Sequence, residues 1–87
     1  EQIRVIGEAT RPQALPYSEN MTLMDVMIAV GGITDFAAGN RARIIRTIDG
    51  KQQQFRVRLN DLIRDGDITA NTPVYQGDIL VIPESFF

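Results

Sequence analysis

The sequence has no cysteine, no histidine and no tryptophan. Without cysteine there are no disulfides, no thiolate metal sites and no cysteine nucleophile. Without histidine the commonest general base and the commonest zinc ligand are missing, so Ser18, Ser85 and the threonines have no imidazole to activate them. Two tyrosines and four phenylalanines make up the aromatics, too few for a platform on which bases stack. Nine basic residues stand against eleven acidic ones, a net charge of −2, which disfavours non-specific binding to nucleic acid. No apolar run approaches the roughly 18 residues of a membrane helix.

What is present suits a small globular domain. Of 87 residues, 44% are hydrophobic and 23% charged, values that argue against disorder. A chain of this length buries about 60–65% of its extended surface, which leaves room for one core. The expectation is one domain over residues 1–87, excised from a longer chain, because the sequence starts at Glu1 and not at a methionine.

Ile3 to Gly7 reads as a strand, a β-branched run closed by glycine. Ala14 to Tyr17 is a second short extended piece, which Pro12 and Pro16 restrict to an edge strand or a loop. The clearest helix begins at Thr22, where threonine can cap free N–H groups and Asp25 can answer as the acid of a capping box. Leu23, Val26, Met27 and Val30 then recur on one helical face. Gly31-Gly32 stops the helix. Met21, Met24 and Ile28 form a second apolar stripe, which is either further core or a contact for a neighbouring surface.

Ala42 to Ile48 and Gln52 to Leu59 read as two strands joined by Asp49-Gly50, a strong two-residue hairpin signal. Asn60 is placed to cap one helical turn, Asp61 to Arg64. Val74-Tyr75 is a brief extended piece, Gln76-Gly77-Asp78 a turn, and Ile79 to Ile82 a continuous apolar run expected at the centre of a sheet. The order of elements predicts an α+β fold, with one main helix packed on a mixed sheet with a β-hairpin; the β-grasp is its simplest version.

These residues also carry a family resemblance. Val5-Ile6-Gly7-Glu8 with Arg11-Pro12, Thr22 to Val26, Ala29 to Thr34, Ile44-Ile45-Arg46, and the closing Asn60-Asp61-Leu62, Asn71, Pro73-Val74 and Gln76 to Pro83 together resemble the soluble-ligand-binding β-grasp domains, abbreviated SLBB. Gln13 stands where those domains tend to have glycine, so the turn after Pro12 is expected to differ in shape. Asp35-Phe36-Ala37 and the tail Pro83 to Phe87 are similar to outer-membrane polysaccharide export proteins of Gram-negative bacteria. The resemblance implies a periplasmic, non-catalytic module of a ring-shaped translocon. Its implied partners are other subunits of the same export protein, an inner-membrane polysaccharide copolymerase and the polysaccharide itself. No cofactor is implied.

Side chains that could do chemistry are few. Asp61, Asp65 and Asp67 are close in sequence, but aspartate and glycine are what tight turns use, and the spacing does not fit an EF-hand. Lys51, the sole lysine, sits beside the hairpin turn, where solvent keeps it a poor nucleophile. Gly31-Gly32 follows a helix, whereas phosphate loops precede one. No catalytic set and no metal site emerge, and the expectation is that the chain is not an enzyme.

The arginines are more informative. With a two-residue turn at Asp49-Gly50, Arg43 faces Arg56 and Arg41 faces Arg58, all on one side of the hairpin. Like charges placed directly opposite each other are destabilising, which favours an anionic partner that offsets them. Candidate partners are the acidic face of another subunit and a carboxylate-bearing glycan, both suited to bidentate guanidinium. A plain solvated face with salt bridges to Asp35 or Glu84 is the third alternative. Tyr17 and Tyr75 are candidates for stacking on sugar rings or for edge packing.

Overall fold

The computed structural model describes residues 1–86; of the tail singled out above, Phe87 lies outside them. Strands β1 (Gln2–Gly7), β2 (Ala14–Pro16), β3 (Ala42–Ile48), β4 (Lys51–Val57) and β5 (Ile79–Ile82) form one sheet in the order β2-β1-β5-β3-β4. β1 and β5 run parallel, and the remaining neighbours are antiparallel. The apolar run Ile79 to Ile82 is therefore the middle strand, as its composition predicts. Helices α1 (Leu23–Val30) and α2 (Leu59–Ile63) and two 3-10 turns, Gly39–Arg41 and Ile68–Ala70, complete the fold. The α+β architecture of a main helix on a mixed sheet with a β-hairpin is the one expected, and it is compatible with a β-grasp.

The core lies between one face of the sheet and the helices. Ile3 and Val5 of β1, Ala42 and Ile44 of β3, and Leu80 and Ile82 of β5 are almost wholly buried. Strand alternation puts all six on one face. They form one cluster with Leu23, Val26, Met27 and Val30 of α1 and with Leu59 and Leu62 of α2. Burying each of the α1 side chains contributes about 1.5–3 kcal/mol.

Both ends of α1 are tied to distant loops. The capping box forms as the sequence predicts: Thr22 Oγ1 accepts the Asp25 N–H, and the Asp25 carboxylate accepts the Thr22 N–H at 2.9 Å. The next two free N–H groups are taken by a loop almost fifty residues on. Leu23 N–H donates to the Thr72 carbonyl at 2.8 Å and Met24 N–H to Asn71 Oδ1 at 2.9 Å. At the other end Gly31, with φ 77°, reverses the chain in the left-handed region, which glycine enters at no Cβ cost. The terminal carbonyls of Val30 and Gly32 accept the N–H groups of Arg11 and Thr10.

Gly7 answers a different demand. It sits where β1 ends beside β5, with φ 94°, and a Cβ there would collide with the Ile82 carbonyl oxygen. That oxygen accepts the Glu8 N–H at 2.9 Å, so the close approach closes the parallel pair.

Three local expectations are corrected. β4 ends at Val57, and Leu59 opens α2 instead of closing a strand, because its side chain is buried in the core beside Leu62. Asn60 does not cap α2. Asn40 does so from the preceding 3-10 turn, its Oδ1 accepting the N–H groups of Asn60 and Asp61 at 3.0 and 3.2 Å. Val74-Tyr75 makes no strand; an isolated bridge joins Thr22 to Pro73 instead.

Candidate functional site

Because α1 and α2 pack on one side of the sheet, its other side carries the outward residues of every strand. Rows across the sheet read Arg4, Ile79, Ile45, Gln54 and, two residues along, Ile6, Val81, Arg43, Arg56. Ile45, Ile79 and Val81 are half-buried and Ile6 is 49% exposed. The four aliphatic side chains thus form a patch, with Arg4 at one corner and Arg43 beside Arg56 at the opposite one. No acidic residue occupies an outward strand position on this face. Among the described residues Arg4, Arg43 and Arg56 form no ion pair.

The four arginines singled out from the sequence divide. Arg43 and Arg56 are direct partners across β3 and β4, in the expected register, with Ala42–Val57 and Ile44–Phe55 on the other face. Arg41 and Arg58 do not face each other. Strand pairing stops at Ala42–Val57, leaving Arg41 exposed in the 3-10 turn and Arg58 at the start of α2. Arg58 pairs with Asp61 at 2.7 Å and Asp67 at 3.4 Å. Among the described residues Arg58 is thus the one of the four in an ion pair, and its partners are those two aspartates and not Asp35 or Glu84. The Asn40 amide and the Arg58 guanidinium hold the Asp61 carboxyl below the usual carboxylate range. The Thr69 hydroxyl and N–H do the same for Asp67, with a smaller contribution from Arg58. Both carboxylates are engaged in fixing α2 and the following turn. Among the described residues, no group of three or more acidic side chains is placed to hold a metal ion.

Another arginine, Arg46, met in the sequence only as part of a strand, is built into the fold. Arg46 grips the carboxylate of Asp78 with two hydrogen bonds, Nε to Oδ1 at 2.9 Å and Nη2 to Oδ2 at 2.8 Å. Asp78 is 1% exposed and also accepts the Tyr75 N–H. The guanidinium lies 4.6 Å from the centre of the Tyr75 ring and 5.1 Å from that of Phe55, within reach of a cation–π attraction. Its pKa is raised above the ordinary arginine value by the hydrogen bonds to Asp78. The pair ties β3 to the Gly77-Asp78 turn that leads into β5. One signal was available: Arg46 shares the inward parity of Ala42 and Ile44, and an inward arginine needs an acid.

Two shallow clefts meet at Tyr75. One, of about 250 Å³, is lined by Arg46, Phe55, Arg56, Pro73 and Tyr75 among others. The other, of about 410 Å³, has Tyr17, Met21, Pro73 and Tyr75 in its walls. The two tyrosines picked out in the sequence therefore share a cleft.

The apolar stripe Met21, Met24 and Ile28 also divides. Met21 and Met24 are half-buried against the core, whereas Ile28 is 69% exposed. Met24 and Ile28 border a groove of about 190 Å³ between α1 and α2, with Met27, Leu62 and Ile63. Among the described residues no helix is long and apolar enough to cross a membrane.

Comparison with protein families agrees with this architecture. The family model described as the SLBB domain matches residues 2–56, a span that holds β1, β2, α1, β3 and all but the last residue of β4. The closing Gly77-Asp78 turn and β5 lie beyond the matched residues, although their place in the sheet is set by β1 and β3. With well over half of the chain matched and the fold in accord, this protein belongs to the SLBB family of soluble-ligand-binding domains.

Proposed function

We propose that the domain is a non-catalytic docking module of a polysaccharide export translocon, acting in the periplasm as part of an outer-membrane-associated protein. It contributes to assembly of the export ring by contact with other subunits of the same protein, and the inner-membrane copolymerase and the polysaccharide are the remaining partners of that machine. The observation that carries the reading is the open sheet face. Four aliphatic side chains bordered by Arg4, Arg43 and Arg56 lack a cover, and the Arg43–Arg56 pair places like charges opposite each other, a cost that an acidic partner offsets. Replacing Arg43 and Arg56 with glutamine in the export protein lowers the yield of cross-linked oligomer and of surface polysaccharide. Unchanged assembly and unchanged export in a stably folded double variant would remove the idea.

A second reading rests on the clefts at Tyr75. Two exposed aromatic rings, Tyr75 and Phe55, flank a guanidinium beside a cleft of about 250 Å³. Aromatic faces and a nearby cation suit a sugar ring that carries a carboxylate. Amide-shift titration of the domain with anionic oligosaccharides separates the two readings. Saturable shifts at Phe55, Arg56 and Tyr75 favour glycan binding, and silence at millimolar sugar favours docking alone.

A further inference from the structure

We propose that the free edge of β4 takes up an extended peptide as a further strand of the sheet, one that alternates acidic and apolar side chains. The inference concerns the edge of the sheet and does not depend on docking at its open face. β4 is the last strand of the sheet and pairs only with β3. The pairing runs unbroken from Ile48–Lys51 at the turn to Ala42–Val57, and β4 contains no proline. Asp49 and Gly50 both have positive φ, as a tight two-residue hairpin turn requires. In such a hairpin alternate residues exchange hydrogen bonds with the partner strand, beginning with the pair that flanks the turn. Lys51, Gln53, Phe55 and Val57 therefore bond to β3. The N–H and C=O groups of Gln52, Gln54 and Arg56 point away from it, and no backbone group elsewhere among the described residues bonds to them. An open row of this kind is a template for one more strand.

The surroundings specify the strand that fits. β3 and β4 together carry Arg43, Arg46, Lys51 and Arg56 and no acid. Arg46 is held by Asp78, but Arg43, Lys51 and Arg56 form no ion pair among the described residues. At the ends of the edge, Asp49 lies in the turn, Arg41 is exposed, and Asp61 and Asp67 are bound to Arg58. An added residue opposite Arg56 stands on the open face, where a carboxylate relieves the like-charge contact of Arg56 with Arg43. Its neighbours along the strand point to the other face. There the cleft of about 250 Å³ lies between Phe55 and Val57 of β4 and Pro73 and Tyr75 of the last loop. Arg46, also in its lining, is already neutralised by Asp78 and covered by both rings. Glu19 lines the adjoining cleft and not this one. An apolar side chain opposite Phe55 enters this cleft. The chain's own edges do not supply such a strand. β2 is three residues long and ends in Pro16, which has no N–H to give. A second β4 brings Lys51 and Arg56 again and no acid. The occupant is therefore a segment from outside these 87 residues.

The test is a titration of the 87-residue chain with the acetylated, amidated peptide Thr-Glu-Phe-Glu-Val-Glu-Thr. Run antiparallel, its glutamates face Arg56, Gln54 and Gln52, and its phenylalanine faces Phe55. Amide exchange reads the edge directly: in the free chain Gln52, Gln54 and Arg56 exchange fast, Gln53 and Phe55 slowly. At saturation the first three slow roughly tenfold or more, and the Tyr75 ring protons shift on the same binding curve. Gln54→Pro deletes an N–H that β3 does not use, so the edge strand tolerates it, and binding weakens roughly tenfold. The same peptide N-methylated at its three glutamates keeps its charge but cannot donate, and it fails to bind the unaltered chain. A peptide with lysine in place of glutamate fails as well. Silence at millimolar peptide, shifts without protection of the three edge amides, or equal binding by the N-methylated or lysine peptide would overturn the proposal. Protection that grows with protein concentration alone gives the edge to a second copy and overturns it too. So does an anionic oligosaccharide that shifts Phe55 and Tyr75 where the peptide does not, which gives the cleft to glycan. None of these outcomes bears on assembly through the open face, which the Arg43 and Arg56 double variant tests.

Discussion

The Arg46–Asp78 pair offers the sharpest test of how the sheet is held together. Replacing Arg46 with methionine keeps most of the aliphatic stem but strands the carboxylate of Asp78, which is 1% exposed and retains only the Tyr75 N–H as a donor. Breaking a buried ion pair from one side costs about 3–5 kcal/mol. The lower end applies here, because the cleft beside Phe55 and Tyr75 lets water approach. Replacing Asp78 with asparagine is milder. Asparagine still accepts from Tyr75, and Arg46, at 21% exposure between two rings, reaches solvent; the expected cost is about 1–2 kcal/mol. A chain of this length has a total stability of about 4–13 kcal/mol, so Arg46→Met removes a large part of it. A loss of about 3 kcal/mol lowers the melting temperature by about 12–24 °C in a domain this small. Urea and thermal unfolding followed by circular dichroism at neutral pH measure both variants, and the double variant completes a cycle whose coupling is expected to exceed about 1.5 kcal/mol. If Arg46→Met lies within 1 kcal/mol of the parent, if Asp78→Asn proves the more damaging, or if the two effects simply add, the staple described here is wrong.

Three further perturbations probe the supports of α1 and its neighbours. Asn71→Ala removes the acceptor of the Met24 N–H and costs about 1 kcal/mol, as the loss of an N-cap does; hydrogen exchange at Met24 accelerates while that at Val81 is reduced in protection only by the global loss. Gly7→Ala places a Cβ against the Ile82 carbonyl at a φ of 94°, so the parallel β1–β5 pair opens and the chain loses more than the about 1 kcal/mol that glycine-to-alanine changes return elsewhere; a melting temperature equal to the parent's would disprove the clash. Asp61 and Asp67 titrate below the usual range in the folded chain, so the stability they contribute is present above about pH 4 and is lost as pH falls through their folded pKa values. Asn40→Ala moves the Asp61 midpoint upward by removing its principal donor, and carboxyl chemical shifts across an acid titration report whether it does.

Much of this was legible in the sequence. The capping box at Thr22 and Asp25, the stop at Gly31, the hairpin at Asp49-Gly50 and the central position of Ile79 to Ile82 all follow from local rules that act over a few residues. The register of the hairpin followed from the turn, and with it the Arg43–Arg56 contact. What sequence could not supply were partners chosen by the fold. Asn60 has the right chemistry to cap α2, but the tertiary approach of the 3-10 turn gives that task to Asn40. Arg41 and Arg58 satisfy the pairing arithmetic, yet burial of Leu59 pulls the chain out of the sheet one residue earlier and hands Arg58 to Asp61 and Asp67. Arg46 lies beside the hairpin residues that drew attention, on the opposite face, and only the arrival of Asp78 from the last turn reveals its role.

The residues at the caps and turns share one task. Thr22 and Asp25 cap α1 from within, Asn71 and Thr72 complete its N-terminus, and Thr10 with Arg11 takes up its last carbonyls. Gly7 permits β1 to close on β5, and Asp78 locks the turn that starts β5 to β3. Those side chains are thus spent on holding one helix against one sheet. None of them lies on the outward sheet positions, where Ile6, Arg43, Ile45 and Val81 sit, and none lines the groove at Ile28. A fold secured by its core, by caps and by one buried ion pair leaves the outward strand positions free of those duties. Their side chains can then be set by what they touch. Caps and turns act over a few residues and are readable along the chain, whereas the outward patch of Ile6, Ile45, Ile79 and Val81 takes shape only once β1, β5 and β3 lie side by side.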